Sequence, residues 1–295
     1  MPTAFTVNSL SPNGAAEVVG LDCSRALDAE TMAALRRAFQ DHPVLVIRDQ
    51  HLTAAQQAAY SRQWGPLEPQ DQKHYTCPED EDVLILSNEM RPDGTAVGIV
   101  DAGDFWHSDS SHKPEPCRAT ILYAVKNPAR GGDTEFCNMY RVYEALPAEL
   151  KQKIAGRKAI HHVSKTRNKR VVVSPDRPGA EDYYNKRAKE VPEAVQPLVR
   201  THPETGRQAL YISPRFTLAI EGMADEEAQP LLDRLFEFAK DKRFHYRHAW
   251  RDGDLVMWDN RCLNHRACGG YALPDIRRMH RTTIVGDKPF YRPAA

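Results

Sequence analysis

His107 and Asp109, in the run Phe105-Trp106-His107-Ser108-Asp109, stand two positions apart. On an extended segment two such side chains leave on the same side, so a neutral imidazole and a carboxylate can reach one cation. His265, far downstream, is the candidate for a second imidazole. Two imidazoles and one carboxylate cap one face of an octahedral site and leave three positions open, the donor set that suits non-haem Fe(II). The triplet alone decides little. With 12 histidines in the chain, about one His-x-Asp is expected by chance.

The surroundings of His265 and of the arginines beyond it carry more. The stretch Trp258-Asp259-Asn260-Arg261-Cys262-Leu263-Asn264-His265-Arg266 follows an apolar run, Leu255 to Trp258, that reads as a buried strand. Arg277-Arg278-Met279-His280-Arg281 enters a last strand over 280–285. A guanidinium grips a carboxylate or sulfonate through two parallel hydrogen bonds, which makes Arg277 and Arg281 candidates for anion binding. Four positions apart on a strand they share a face, so two anions could lie side by side in one pocket. Arg278 reads as a surface or structural arginine, and His280 alternates away from Arg281. The adjacent His161 and His162 face opposite sides of an extended chain and cannot easily share one ion.

These residues need a frame. Val18–Asp22 reads as a short strand, Asp28 as an N-cap for a helix carrying Met32, Leu35 and Phe39, and Val44–Ile47 as a buried strand. Thr53 to Gln56 makes a capping box, and Gly65-Pro66 ends that helix. Residues 67–104 are polar and turn-rich, with one strand expected at 83–87; His74 lies here and is a candidate substrate contact. Strands are expected at 118–125 and from Glu135, with a turn over Pro128 to Thr134 between them. Further on come a short helix over 147–155, a hairpin of 198–202 with 208–212, a helix over 225–241 and a strand over 244–250. Residues 160–193, with the basic run Lys165 to Arg170, read as an irregular, solvated loop over the site. Many strands with helices gathered at the N-terminus and in one insertion imply a mainly β fold with flanking helices around a double-sheet core. No linker or repeat divides it, so residues 1–295 read as a single domain.

Bulk properties narrow the partners. The chain has 295 residues, 41% of them hydrophobic, and 40 basic residues balance 40 acidic ones. Without a net field there is nothing to draw nucleic acid or an anionic membrane. The N-terminus has neither a basic nor an apolar leader, and no apolar run reaches membrane-spanning length. Six scattered cysteines fit a reducing, cytoplasmic setting.

Together the motifs resemble the Fe(II)/2-oxoglutarate-dependent dioxygenases of the taurine dioxygenase and 2,4-dichlorophenoxyacetate dioxygenase (TauD/TfdA) family. The stretches that carry the likeness are Val44–Ile47, Arg62 to Leu67, Trp106 to Ser110, Gly131 to Thr134, Trp258 to Arg261, His265 and Arg277 to Arg281. The resemblance implies a double-stranded β-helix, the jelly-roll or cupin-like core. It implies His107, Asp109 and His265 as iron ligands, and Thr134 with Arg277 as the pair holding the distal carboxylate of 2-oxoglutarate. Arg281 would bind the anionic group of the prime substrate, with Trp258 lining the pocket. Fe(II) is the implied cofactor, with 2-oxoglutarate and O2 as co-substrates and succinate and carbon dioxide as products. Asp109 stands where related halogenases need a small residue, so hydroxylation is the implied outcome. The substrate would be a small organic anion, an aryloxyacetate undergoing ether cleavage in the first instance. An alkyl sulfonate such as taurine is the alternative, and a non-catalytic metal-binding sensor a remote one. Against taurine, Asp101 to Phe105 replaces the asparagine-rich stretch that taurine dioxygenases carry before the Trp-His. The family also implies a homo-oligomer, a dimer or a tetramer.

Overall fold

A computed structural model describes residues 5–100, 103–165, 167 and 180–293. An eight-stranded sheet forms the larger layer. Its order is β1 (Thr6–Ser11), β2 (Ala15–Val19), β3 (Val44–Ile47), β14 (Leu255–Asp259), β6 (Ala119–Lys126), β16 (Arg278–Ile284), β5 (Asp80–Ser87) and β4 (Thr76–Cys77). All its pairings are antiparallel except that of β2 with β3. Facing it is a three-stranded sheet of β13 (His245–His248), β7 (Thr134–Asn138) and β15 (Leu263–Ala267). A second small sheet joins β12 (Thr217–Ile220), β8 (Lys158–His161) and β9 (Ala194–Pro197), and β10 (Val199–Thr201) pairs with β11 (Gln208–Leu210). This is the mainly β, double-stranded β-helix core that the sequence implied.

The alternation of side chains explains why the central strands are apolar throughout. Val44 and Val46, Leu122 and Ala124, and Val256 and Trp258 point into the core between the layers. Their neighbours Leu45, Ile47, Ile121, Tyr123, Leu255 and Met257 pack on the opposite face against Met32, Leu35, Phe39 and Tyr60. Those last four belong to α1 (Ala29–Asp41) and α2 (Ala54–Arg62). A sheet covered on both faces has no position for a polar alternation. Both helices start as read: the Asp28 carboxylate accepts from Thr31 N–H at 2.7 Å, and Thr53 and Gln56 form a reciprocal capping box.

Four more helices complete the frame: α3 (Met139–Ala145), α4 (Ala148–Ile154), α5 (Ala180–Glu190) and α6 (Asp225–Ala239). The expectations fail in three places. The first strand pair is β1–β2, so the strand read at 18–22 sits three residues earlier, and β1, exposed along most of its length, carried no apolar signal. Residues 160–193 are not irregular throughout, since α5 occupies 180–190; its strongly polar composition hid the helical period. The strand expected at 83–87 begins at Asp80, because three polar residues extend it to meet β4. Of the basic run, Lys165 pairs with Glu193 at 2.9 Å and Arg167 with Asp233, while 166 and 168–170 lie outside the described residues.

Candidate metal centre

His107 and His265, 158 positions apart, meet through their own backbones. His107 N–H donates to the His265 carbonyl at 3.0 Å, and His265 N–H donates to the His107 carbonyl at 2.7 Å, an isolated antiparallel bridge. Directly opposed residues of such a bridge send their side chains to one face, and the two imidazole rings lie 4.2 Å apart between centroids. Asp109 joins them: its Oδ1 is 3.5 Å from His107 Nε2 and its Oδ2 3.7 Å from His265 Nε2. One donor atom from each lies within 4.8 Å of the others, and among the described residues this is the one cluster of metal-capable side chains.

The local chemistry suits a divalent ion. His107 Nδ1 is 2.8 Å from the Phe105 carbonyl, which can only accept, so the proton sits on Nδ1 and the Nε2 lone pair faces the cluster. Burial, with His107 beside it, pushes the His265 imidazole down to about 3, so it too is a neutral donor. For Asp109 burial pulls upward but is outweighed by the polar groups that face it, the His265 and His107 rings and the Arg281 guanidinium, and the carboxyl lies well below its ordinary range. Two neutral nitrogens and one ionised oxygen facing a common space fit Fe(II) with positions to spare.

Two cavities meet at this cluster. The inner one, of about 50 Å³, is lined by Thr134, Trp258 and Arg277 behind the histidines. Its walls are strands from both layers: Thr134 opens β7, Trp258 lies in β14 and Arg277 immediately precedes β16. The Thr134 hydroxyl oxygen accepts from Trp250 Nε1–H at 2.9 Å, which leaves its proton free to donate into the cavity. Arg277 is buried and its Nε donates to the Gly132 carbonyl at 3.1 Å. Gly132 has φ 74°, and a Cβ there would come within 3.1 Å of the Arg277 side chain. Gly132 therefore makes room for the arginine, while a Cβ on Gly131 would meet the Gly270 backbone. Burial lowers the Arg277 pKa, yet a guanidinium stays charged in any protein.

The outer cavity, of about 220 Å³, opens towards solvent past Phe105, Lys113, Arg187, Arg215 and Phe216. Arg215 is held between the rings of Phe105 and Phe216, its guanidinium carbon 5.0 Å from each centroid. Lys113 is paired with Glu68 at 2.9 Å, and Arg187 with Asp71 at 3.6 Å. Arg281 lines both cavities, and its Nη1 stands 4.0 Å from Asp109 Oδ1. It is the cation at the junction.

Residues 6–283 match the sequence profile of the family described as "Taurine catabolism dioxygenase TauD, TfdA family". The chain is 36% identical over 293 residues to the alpha-ketoglutarate-dependent 2,4-dichlorophenoxyacetate dioxygenase of Cupriavidus pinatubonensis, covering 96% of this chain and 99% of that one. It is 33% identical over 296 residues to the (S)-phenoxypropionate/alpha-ketoglutarate-dioxygenase of Sphingobium herbicidovorans, covering 97% of each. The crystal structure of AAD-2 with Mn(II) and N-oxalylglycine superposes with a TM-score of 0.79 at 30% identity, over 97% of this chain and 98% of that one. The chain belongs to the TauD/TfdA family. It is accordingly a 2-oxoglutarate-dependent dioxygenase that uses Fe(II) and O2 and acts on a small organic substrate.

Within this TauD/TfdA member the residues read from sequence separate into three groups. His107, Asp109 and His265 converge, and Thr134 and Arg277 share the inner cavity with them. Trp258 is read as a substrate contact, but it lines the inner cavity only, its ring 4.7 Å from that of His265. His74 needs a correction: it sits exposed on a single helical turn, 73–75, its ring tilted against that of Tyr75, and lines neither cavity. The residues set aside lie elsewhere as expected. Arg278 pairs with Glu89 at 3.6 Å, and His280 faces away from Arg281, 3.4 Å from Cys77 Sγ. His161 is bonded to Ser111 and Thr217, and His162 to the Val191 carbonyl and to the backbone N–H groups of Ser164 and Lys165.

Sequence reasoning missed the outer walls and the buried supports. Phe216, Arg215 and Lys113 carry no local signal, because only the fold brings them to the metal. Thr120 and Asn260, which touch Asp109, are also absent from it, although Asn260 lies inside a stretch that carries the family likeness.

Proposed function

We propose that this protein hydroxylates an aryloxyalkanoate of the 2,4-dichlorophenoxyacetate kind at the carbon between ether oxygen and carboxylate, cleaving the ether. The observation that carries this is Arg281. It stands beside Asp109 at the mouth of a cavity walled by the rings of Phe105 and Phe216. A carboxylate on Arg281 would hold the neighbouring carbon at the metal while the aromatic ring lies against those walls. The two relatives named above, which act by their names on such ethers, support the same class.

In this reading His107, Asp109 and His265 hold the iron, and Thr134 and Arg277 clamp the distal carboxylate of 2-oxoglutarate. When bound, the iron supplies the oxygen activation that the protein's own side chains cannot. The chain's contribution is orientation. The Arg277 fork fixes the co-substrate, Arg281 fixes the substrate anion, and Trp258 closes the inner wall beside His265. One oxygen atom of O2 enters succinate and the other the substrate carbon. The resulting hemiacetal loses the phenol, leaving an aldehyde. Residues 1–295 are taken as one domain, working in the cytoplasm, where six unpaired cysteines would persist, and assembling as a homo-oligomer.

Succinate release from 2-oxoglutarate tests the reading, with Fe(II)-loaded protein offered 2,4-dichlorophenoxyacetate, phenoxyacetate, a cinnamate and taurine. Stimulation by an aryloxyacetate with release of its phenol is the expected result. Stimulation by taurine with release of sulfite overturns the aryl reading, and tight binding without turnover would mark a sensor.

A further inference from the structure

We propose that Thr120 is a positioning residue that makes Asp109 a one-oxygen ligand, at the end of a directed hydrogen-bond chain that begins at the Trp258 indole. The inference rests on the metal role of Asp109 proposed above.

The direction of the chain follows from donor chemistry. Asn260 is fully buried, and its Oδ1 lies 3.1 Å from Trp258 Nε1 and 3.3 Å from the Asp109 backbone nitrogen. Both of those groups can only donate, so the amide oxygen must face them and the orientation of Asn260 is not a free choice. Its Nδ2 then donates to Thr120 Oγ1 at 2.9 Å and towards Cys117 Sγ at 3.3 Å. Thr120 Oγ1 receives that proton and has a single proton of its own. The acceptor left for it is Asp109 Oδ2, at 2.7 Å. The run is therefore Trp258 to Asn260 to Thr120 to Asp109, with every proton pointing at the carboxylate.

Sheet register builds this chain. Thr120 on β6 is the direct cross-strand partner of Trp258 on β14. Residues two apart on β14 share a face, so Asn260, just past its end, reaches back to both. The Ser108 hydroxyl donates to the Asn260 carbonyl at 2.6 Å and ties the segment carrying His107 and Asp109 to the same strand end. No comparable donor fixes Oδ1. Among the described residues its nearest polar neighbours are the unprotonated His107 Nε2 at 3.5 Å and the Arg281 guanidinium Nη1 at 4.0 Å. A carboxylate pinned at Oδ2 by a charge-assisted bond presents Oδ1 to the ion. If both oxygens bound, they would take one of the three positions that a chelating co-substrate and O2 require.

The test is anaerobic titration of metal-free protein with Co(II), followed by calorimetry and by the visible d–d bands, whose intensity reports coordination number. Thr120→Val keeps the volume and removes the donor; Co(II) affinity is expected to fall about 10–100-fold, the usual cost of losing an outer-shell partner, with altered bands. Thr120→Ser restores the donor and is expected to return both readouts. Trp258→Phe removes the first donor and keeps a ring, and should move both readouts the same way by less. As a control for buried-hydroxyl loss alone, Ser61→Ala removes a hydroxyl 2.7 Å from Thr282 Oγ1 on the far face of the sheet and should leave Co(II) binding unchanged. Wild-type affinity with unaltered bands in Thr120→Val would overturn this inference and leave the metal centre standing. Failure of the wild-type protein to bind Co(II) would overturn both.

Discussion

The inner and outer cavities share His107, Asp109 and Arg281 yet are built from different materials. Thr134, Trp258 and Arg277 stand on or beside core strands, and each is pinned by a second group: Trp250, Asn260 and the Gly132 carbonyl. The outer wall draws on residues 68–72, 105–113, 163, 187 and 215–216, most of which lie outside the strands, and two of its cations, Lys113 and Arg187, are held by ion pairs. A co-substrate that never changes can be met by rigid strands, whereas a site that selects its substrate can be retuned where loops form the wall. The contrast suggests that co-substrate binding tolerates little substitution and that specificity is carried by few, replaceable side chains.

Exchanging the two arginines tests that division most sharply. Arg277→Ala removes a buried charge partner, a loss of about 2–5 kcal/mol. The 2-oxoglutarate KM should therefore rise at least about 30-fold, since 1.4 kcal/mol is a factor of ten, while the substrate KM changes little. Arg281→Ala, losing one charge-assisted contact of about 1.5–3 kcal/mol, should weaken the prime substrate about 10–100-fold and spare 2-oxoglutarate. Should Arg281→Ala instead raise the 2-oxoglutarate requirement and leave substrate affinity intact, the assignment of the arginines is reversed.

A smaller effect is expected on the outer wall. Phe216→Ala removes one aromatic contact, worth about 0.5–1.5 kcal/mol. Its substrate KM for an aryloxyacetate should rise severalfold with 2-oxoglutarate unaffected. An equal loss for taurine would show that the ring is scaffold and not a specificity wall.

The smallest effect on turnover comes from a histidine behind the site. Burial pushes His161 down to about 3, and burial with Arg278 nearby pushes His280 to about 4. Unfolded, each takes a proton near its ordinary value of about 6.5. Folding depresses both, so their contribution to stability is complete above that value and is lost as the pH falls from about 6.5 towards 3–4. His161→Gln should flatten the fall of Tm between pH 6.5 and 4 and leave turnover at neutral pH unchanged. An unchanged Tm profile would show that the fold does not depress His161 below its unfolded value.

Much of this protein is legible in one dimension wherever a residue's role is set by its own neighbours. The His-x-Asp pair, the Gly131-Gly132 turn, the arginines four apart and the doubly covered strands are patterns of spacing and period, and sequence determines them. Tertiary structure decides what depends on contacts between distant segments. The His107–His265 bridge spans 158 positions. The Thr120–Asn260 support exists only because β6 and β14 pair in one register. His74, next to a strong motif in reading order, ends outside both cavities, while Phe216, more than a hundred residues from His107, lies 5.9 Å from its ring. Chain proximity constrains only neighbours within a turn or a strand; the walls of a pocket are set by packing, to which a single residue's type bears no local witness.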